Sequence, residues 1–188
     1  HEMHIGQPNI KTPDRFMDGI QSYSDHIVRY TNSKGTSTLR KAFEEFYRSN
    51  GIALGADNLL ITQGGSEAIV FALSTLCDPG DEVLVAEPFY SNYESFIRMI
   101  DGVMVPIHLK IGEGYRFPPK EELQKLVTPK TRAILLSNPN NPTGTILSEA
   151  EMNAIGDVAK ENDLFIIADE VYRNFIYDPI HYKSFMNM

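Results

Sequence analysis

Leu164-Phe165-Ile166-Ile167-Ala168-Asp169-Glu170-Val171-Tyr172 decides the fold. Five apolar residues run without alternation, the pattern of a strand covered on both faces in a parallel sheet, and then stop at a carboxylate and a phenol. In such sheets ligands gather beyond the C-terminal ends of the strands, which puts Asp169 and Tyr172 where a ligand would be met. The tetrapeptide taken alone leaves a second reading open, in which Asp169 caps the next turn and Tyr172 is half-buried packing.

Upstream the same order of elements recurs. Arg132 to Leu136 reads as a strand that runs into Asn138-Pro139-Asn140-Asn141-Pro142-Thr143-Gly144; Ser148 and Glu151 then form a capping box for a helix carrying Met152, Ile155, Val158 and Ala159. Val83 to Ala86 reads as a strand, with Pro88-Phe89-Tyr90 opening a helix whose stripe is Tyr93, Phe96, Ile97 and Ile100. Leu59 to Thr62 reads as a short strand entering Gln63-Gly64-Gly65-Ser66 and a helix with Ile69, Ala72, Leu73 and Leu76 on one face. Val103 to Ile107 gives a further strand, whose Pro106 marks a strand end or an edge, and Leu123, Leu126 and Val127 mark a short helix. Leu39, Ala42, Phe43, Phe46 and Tyr47 form a helical stripe behind Thr36 and Ser37 as caps, ending near Asn50. Short apolar strands alternating with amphipathic helices predict an α/β fold, a three-layer α/β/α sandwich on a mostly parallel sheet. Residues 1–20, crowded with turn chemistry at Gly6-Gln7-Pro8-Asn9 and Thr12-Pro13-Asp14, read as an ordered arm without a regular element. Residues 21–188 then form the large domain part.

Composition narrows the partners. With 188 residues, 42% of them hydrophobic, the chain can bury a substantial core, and a formal net charge of -8 argues against a nucleic-acid or anionic-membrane surface. Cys77 is the only cysteine, so no intrachain disulfide exists; with no apolar segment at His1-Glu2-Met3-His4, the expectation is a cytoplasmic protein. No apolar run reaches the roughly 18 residues that span a bilayer. The five histidines are scattered, only His1 and His4 lying close together, and no metal site is expected. No serine stands in a nucleophile elbow, so a Ser-His-Asp hydrolase has no support.

Each strand end carries a polar or aromatic group. Gly64-Gly65-Ser66 lies between a strand and a helix, where free backbone N–H groups and the helix dipole favour an anion; an ordinary tight turn is the other reading. Its spacing matches neither Gly-x-Gly-x-x-Gly nor the Walker loop, so nicotinamide and nucleoside-triphosphate readings fall away. Asn138 to Gly144 packs three asparagines and two prolines into a stiff loop that presents amides above the sheet, or serves only as a rigid turn. Tyr90 offers an aromatic face for a planar ring, or ordinary packing.

Thr62 to Ile69, Pro88 to Tyr93, Asn138 to Gly144 and Asp169-Glu170-Val171-Tyr172 stand in the order and spacing of the class I/II aminotransferases, and the chain resembles that family over nearly its whole length. The resemblance implies the cofactor pyridoxal 5'-phosphate. Asp169 would bind its pyridine nitrogen, Tyr172 and Asn141 its 3-oxygen, Gly65 and Ser66 its phosphate, and Tyr90 would stack on the ring. A carboxylate against the ring nitrogen keeps the pyridinium protonated, so the ring can accept the electron pair left when the substrate's α-proton departs. Asp169 and Tyr172 are thus the catalytic candidates. Gly6, in Ile5-Gly6-Gln7-Pro8, resembles the segment that approaches the substrate carboxylate, with Asn141 beside it, and Tyr30 resembles the tyrosine that reaches a partner subunit's cofactor phosphate. These imply a homodimer with a shared site, acting on an amino acid and a 2-oxo acid. Turn and packing readings stay open for Gly6 and Tyr30.

The sequence departs from the family in one respect. The family holds its cofactor as a Schiff base on a lysine in a Ser-x-x-Lys-type segment downstream of the Asp-x-x-Tyr strand, and no such segment follows Tyr172. Lys183, in His181-Tyr182-Lys183-Ser184, lacks those neighbours and reads as a surface lysine. The expectation is a fragment of a longer aminotransferase. Two alternatives share the same cofactor residues: a carbon–sulfur lyase, and the aminotransferase-like effector domain of a transcription regulator.

Overall fold

The computed structural model describes residues 6–177, 179–180 and 182–188. His1 and His4, Ile5 of the glycine-containing segment, and His181 lie outside the described residues. The chain divides into two units, His1–Ser33 and Lys34–Met188.

The first unit holds helix α1 (Asp14–Gln21), which corrects the expectation of an arm without regular structure. Pro13 has φ -53°, a value pre-set for entering a helix, and Asp14 puts its negative charge in the first turn, where the helix dipole favours it. Turn-forming residues here start an element that the same residues would break if they stood inside it.

In the second unit, α2 (Ser37–Ser49) starts at Thr36, whose hydroxyl accepts from the Leu39 amide at 3.3 Å. It is followed by α3 (Gly65–Leu76), β1 (Glu82–Glu87), α4 (Asn92–Met99), β2 (Val103–His108) and α5 (Lys120–Gln124). The series ends with β3 (Thr131–Ser137), α6 (Glu149–Glu161) and β4 (Phe165–Asp169). The four strands form one sheet in the order β2-β1-β3-β4 with every pairing parallel. Pro106, which has no N–H to give, sits in the edge strand β2.

Alternation along β1 and β3 sends side chains to opposite faces. On one face Val83, Val85, Ala133 and Leu135 meet Ile69 and Leu73 of α3 and Tyr93 and Ile97 of α4. On the other, Leu84, Ala86, Ile134 and Leu136 meet Leu123 of α5 and Ile155 and Val158 of α6. This is the three-layer sandwich. Its stability rests on these two apolar layers, since burying one such side chain is worth about 1.5–3 kcal/mol. The ion pairs, by contrast, mostly have exposed members such as Arg98–Glu94, and each contributes roughly 0–1 kcal/mol.

Two expectations need correction. Leu59 to Thr62 is no strand: Leu59 has extended backbone, but the segment joins no ladder, and the Ile61 amide donates to the Lys34 carbonyl instead. Apolar content made it look like a strand, yet a strand exists only where a neighbour supplies hydrogen bonds. β4 is covered less completely than its unbroken apolar run suggested. Ile166 and Ala168 pack toward α6 and Ile167 toward α3, but β4 pairs only with β3 among the described residues, and Phe165 is 56% exposed.

Candidate active site

Parallel pairing places the ends of β1, β3 and β4 on one edge of the sheet. α4, after β1, packs on one face and α6, after β3, on the other, so the chain reverses its winding between β1 and β3, where α/β sheets open a crevice. The loop beginning at Pro88 and the loop Asn138–Gly144 flank that point.

Asp169 closes β4, in register with Ser137 of β3, and its carbonyl accepts from the Asn138 amide at 2.9 Å. Its carboxylate is held at both oxygens. Oδ1 accepts from the Val171 amide at 3.1 Å, and Oδ2 accepts from the Tyr93 hydroxyl at 2.7 Å. Tyr93 is 1% exposed, and burial first, then the adjacent Asp169 carboxylate, push its phenol well above the ordinary range. The Tyr93 proton therefore stays on its oxygen and is available to Asp169 as a donor.

Asn141 and Tyr172 come together across two loops, with Asn141 Nδ2 3.4 Å from the Tyr172 hydroxyl, a long contact that leaves both groups able to turn to a third partner. Tyr90 stands edge-on to Tyr93, ring centroids 5.6 Å apart at 86°, and its hydroxyl accepts from Asn92 Nδ2. The Tyr90 ring is thereby braced by the same residue that holds Asp169.

Gly64 precedes α3 with φ +86°, a left-handed conformation that glycine adopts at little cost, and Gly65 and Ser66 open the helix. A Cβ at Gly65 would meet nothing within 4 Å, and Ser66 is exposed, so the start of α3 is open to a ligand. Gly64, Gly65, Ala168 and Asp169 are among the residues lining one cavity of about 900 Å³. This cavity continues as an apolar trough past Ile61, Ile167 and Phe185, beside the edge of β4 that joins no strand among the described residues. Gly6 and Tyr30 belong to the His1–Ser33 unit, where both are exposed. Lys183 pairs with Glu149 at 2.8 Å on the surface of α6.

The sequence reading placed Tyr93 in the apolar stripe of α4 and missed its role. One signal was available: a tyrosine among Phe and Ile at a buried position must find a partner for its hydroxyl, and a strand-end carboxylate is a natural one. The chain can thus present, from one unit, a fixed carboxylate, an amide–phenol pair, a braced aromatic ring and an open helix N-terminus.

The family model for aminotransferase class I and II matches residues 5–187. A probable aspartate/prephenate aminotransferase of Thermus aquaticus is 31% identical over 180 residues, 95% of this chain and 47% of the relative. Aromatic-amino-acid aminotransferase 2 of Thermococcus litoralis is 34% identical over 187 residues, 98% of this chain and 48% of the relative. Among solved structures, N-succinyldiaminopimelate aminotransferase from Mycobacterium tuberculosis superposes with a TM-score of 0.86 at 32% identity, covering 95% of this chain and 47% of that one. The chain spans about half the length of these relatives.

Proposed function

Since the chain belongs to the class I and II aminotransferase family, we propose that it carries part of a pyridoxal 5'-phosphate site that moves an amino group between an amino acid and a 2-oxo acid. The observation that carries the reading is the carboxylate of Asp169, fixed by Tyr93 and Val171 at the end of β4. The residues fit the cofactor: the open start of α3 offers backbone donors to a phosphate, Tyr90 a face to a ring, and the loosely engaged Asn141 and Tyr172 two donors to a ring oxygen.

When bound, the cofactor supplies an electron sink for the bond that breaks at the substrate's α-carbon. Asp169 would keep the ring nitrogen protonated, because a carboxylate beside that nitrogen favours its cationic form. Tyr93, donating to Oδ2, leaves Oδ1 to the Val171 amide and keeps the carboxylate from turning away. Tyr172 and Asn141 would hold the ring oxygen and Gly65 and Ser66 the phosphate, and Asn141 would also meet the substrate. Gly6 for the substrate carboxylate and Tyr30 for a partner subunit's phosphate follow the family resemblance, as does a homodimer, whereas a cytoplasmic setting follows from the single cysteine. No helix among the described residues is long and apolar enough to cross a membrane.

The test is an amino-donor screen on the intact protein, following formation of pyridoxamine phosphate. One or a few amino acids should convert the cofactor stoichiometrically. Conversion by none, with cofactor bound, would rule the reading out.

A further inference from the structure

The turn that follows Asp169 has most of its side chains in solvent. Val171 is 62% exposed, Tyr172 37% and Phe175 58%, so among the described residues the outer side of the turn contributes little that fixes its pose. Within residues 170–174 only Glu170 and Arg173 point inward. Their side chains are 14% and 12% exposed and approach each other to 3.6 Å.

The Arg173 guanidinium lies 5.5 Å from the centroid of Phe46, 5.7 Å from Tyr47 and 5.7 Å from Tyr182, within range of a cation–π contact with each. Phe46 and Tyr47 belong to α2, whereas Tyr182 belongs to the C-terminal segment and donates its hydroxyl to the Asn138 carbonyl at 3.1 Å. Glu170 accepts from the Ser184 hydroxyl at 2.8 Å and the Phe185 amide at 3.1 Å. The backbone of the turn itself closes through Arg173 N to Glu170 O and Phe175 N to Tyr172 O. One cation therefore ties the turn to α2, to the C-terminal segment and, through Tyr182, to the first residue of the asparagine loop.

We propose that Arg173 is a positioning residue: caged by Phe46, Tyr47 and Tyr182 and paired with Glu170, it fixes the turn that presents Asp169 and Tyr172 to the cofactor. This rests on the cofactor reading for its consequence, but the control of the turn itself does not. Lysine is a poor substitute, since a point charge keeps the pairing with Glu170 and lacks the delocalised planar group that suits contact with aromatic rings.

The experiment compares the intact protein with Arg173→Met and Arg173→Lys by amide hydrogen exchange and by retention of added pyridoxal phosphate. Arg173→Met is expected to raise exchange about tenfold in residues 170–176, to leave β3 unchanged and to weaken cofactor retention about tenfold. Arg173→Lys should give a smaller rise at the same residues and decides the matter if the methionine variant does not fold. Unchanged exchange in 170–176 would overturn the proposal. So would exchange raised equally throughout, the mark of a merely structural residue. A wild-type protein that retains no pyridoxal phosphate, together with a variant that loosens only residues 170–176, would sink the cofactor reading while supporting control of the turn by Arg173.

Discussion

The Tyr93 hydroxyl donates to Oδ2 of Asp169 at 2.7 Å, across 76 residues of sequence, joining the buried face of α4 to the end of β4. A hydrogen bond to a charged group is worth about 1.5–3 kcal/mol. Tyr93→Phe keeps the ring that packs in the core and removes only the donor. In the intact protein kcat/KM should fall about tenfold to a hundredfold with the fold retained. Unchanged kinetics would show that Asp169 does not depend on Tyr93.

Asp169→Asn replaces a carboxylate by a neutral amide of the same shape. Cofactor binding should remain detectable, while removal of the substrate's α-proton slows by about a hundredfold or more, as when one preorganised electrostatic group is lost. Single-turnover absorbance measurements on the intact protein separate the two, and a parental rate would refute the role given to Asp169.

Glu151 should shape the acid side of stability. Burial raises its pKa, but the Ser148 hydroxyl and amide, the Phe117 amide and Arg116 outweigh that and hold the carboxyl below its ordinary value of 4.5. A depressed folded pKa gives stability that is present above the unfolded value and lost as pH falls through the folded one. Glu151→Gln should therefore lower the urea midpoint near neutrality and flatten its decline below about pH 5. Parallel curves for the two proteins would contradict this.

Leu135 is fully buried in β3 between α3 and α4, and Leu135→Ala should cost about 2–5 kcal/mol in urea unfolding. A loss under about 1 kcal/mol would mean that the layer can close around the cavity.

Lys183 is engaged by Glu149 at 2.8 Å. Borohydride reduction in the presence of pyridoxal phosphate should leave it without stoichiometric label, as peptide mass would show. Full labelling would make it the Schiff-base lysine that its neighbours in sequence do not suggest.

Local pattern and packing agreed where an element carries its own signals. The Ser148–Glu151 capping box forms as its spacing implies, and the unbroken apolar runs of β1 and β3 send their side chains into two helical layers. Asn141, Tyr172 and Asp169 follow apolar runs, and their strand ends do meet on one edge. Leu59–Thr62 misled because strand identity resides in the neighbour that supplies the ladder, which a local window does not contain. Tyr93 and Arg173 were illegible for a related reason: a stripe shows which side chains face inward, and the Asp169 carboxylate and the three rings they reach come from distant segments.

The one-sided pairing of β4 has a practical consequence for anyone handling these 188 residues as an isolated polypeptide. Among the described residues β4 leaves one row of N–H and C=O groups without a partner strand beside an apolar trough, a template for adhesion, and neither proline nor lysine interrupts Phe165–Asp169 to blunt it. The isolated chain should self-associate as its concentration rises, to an extent that sedimentation velocity can follow. Phe165→Lys, which sets a charge at an exposed position of that strand, should keep it dispersed, with circular dichroism as the control for folding.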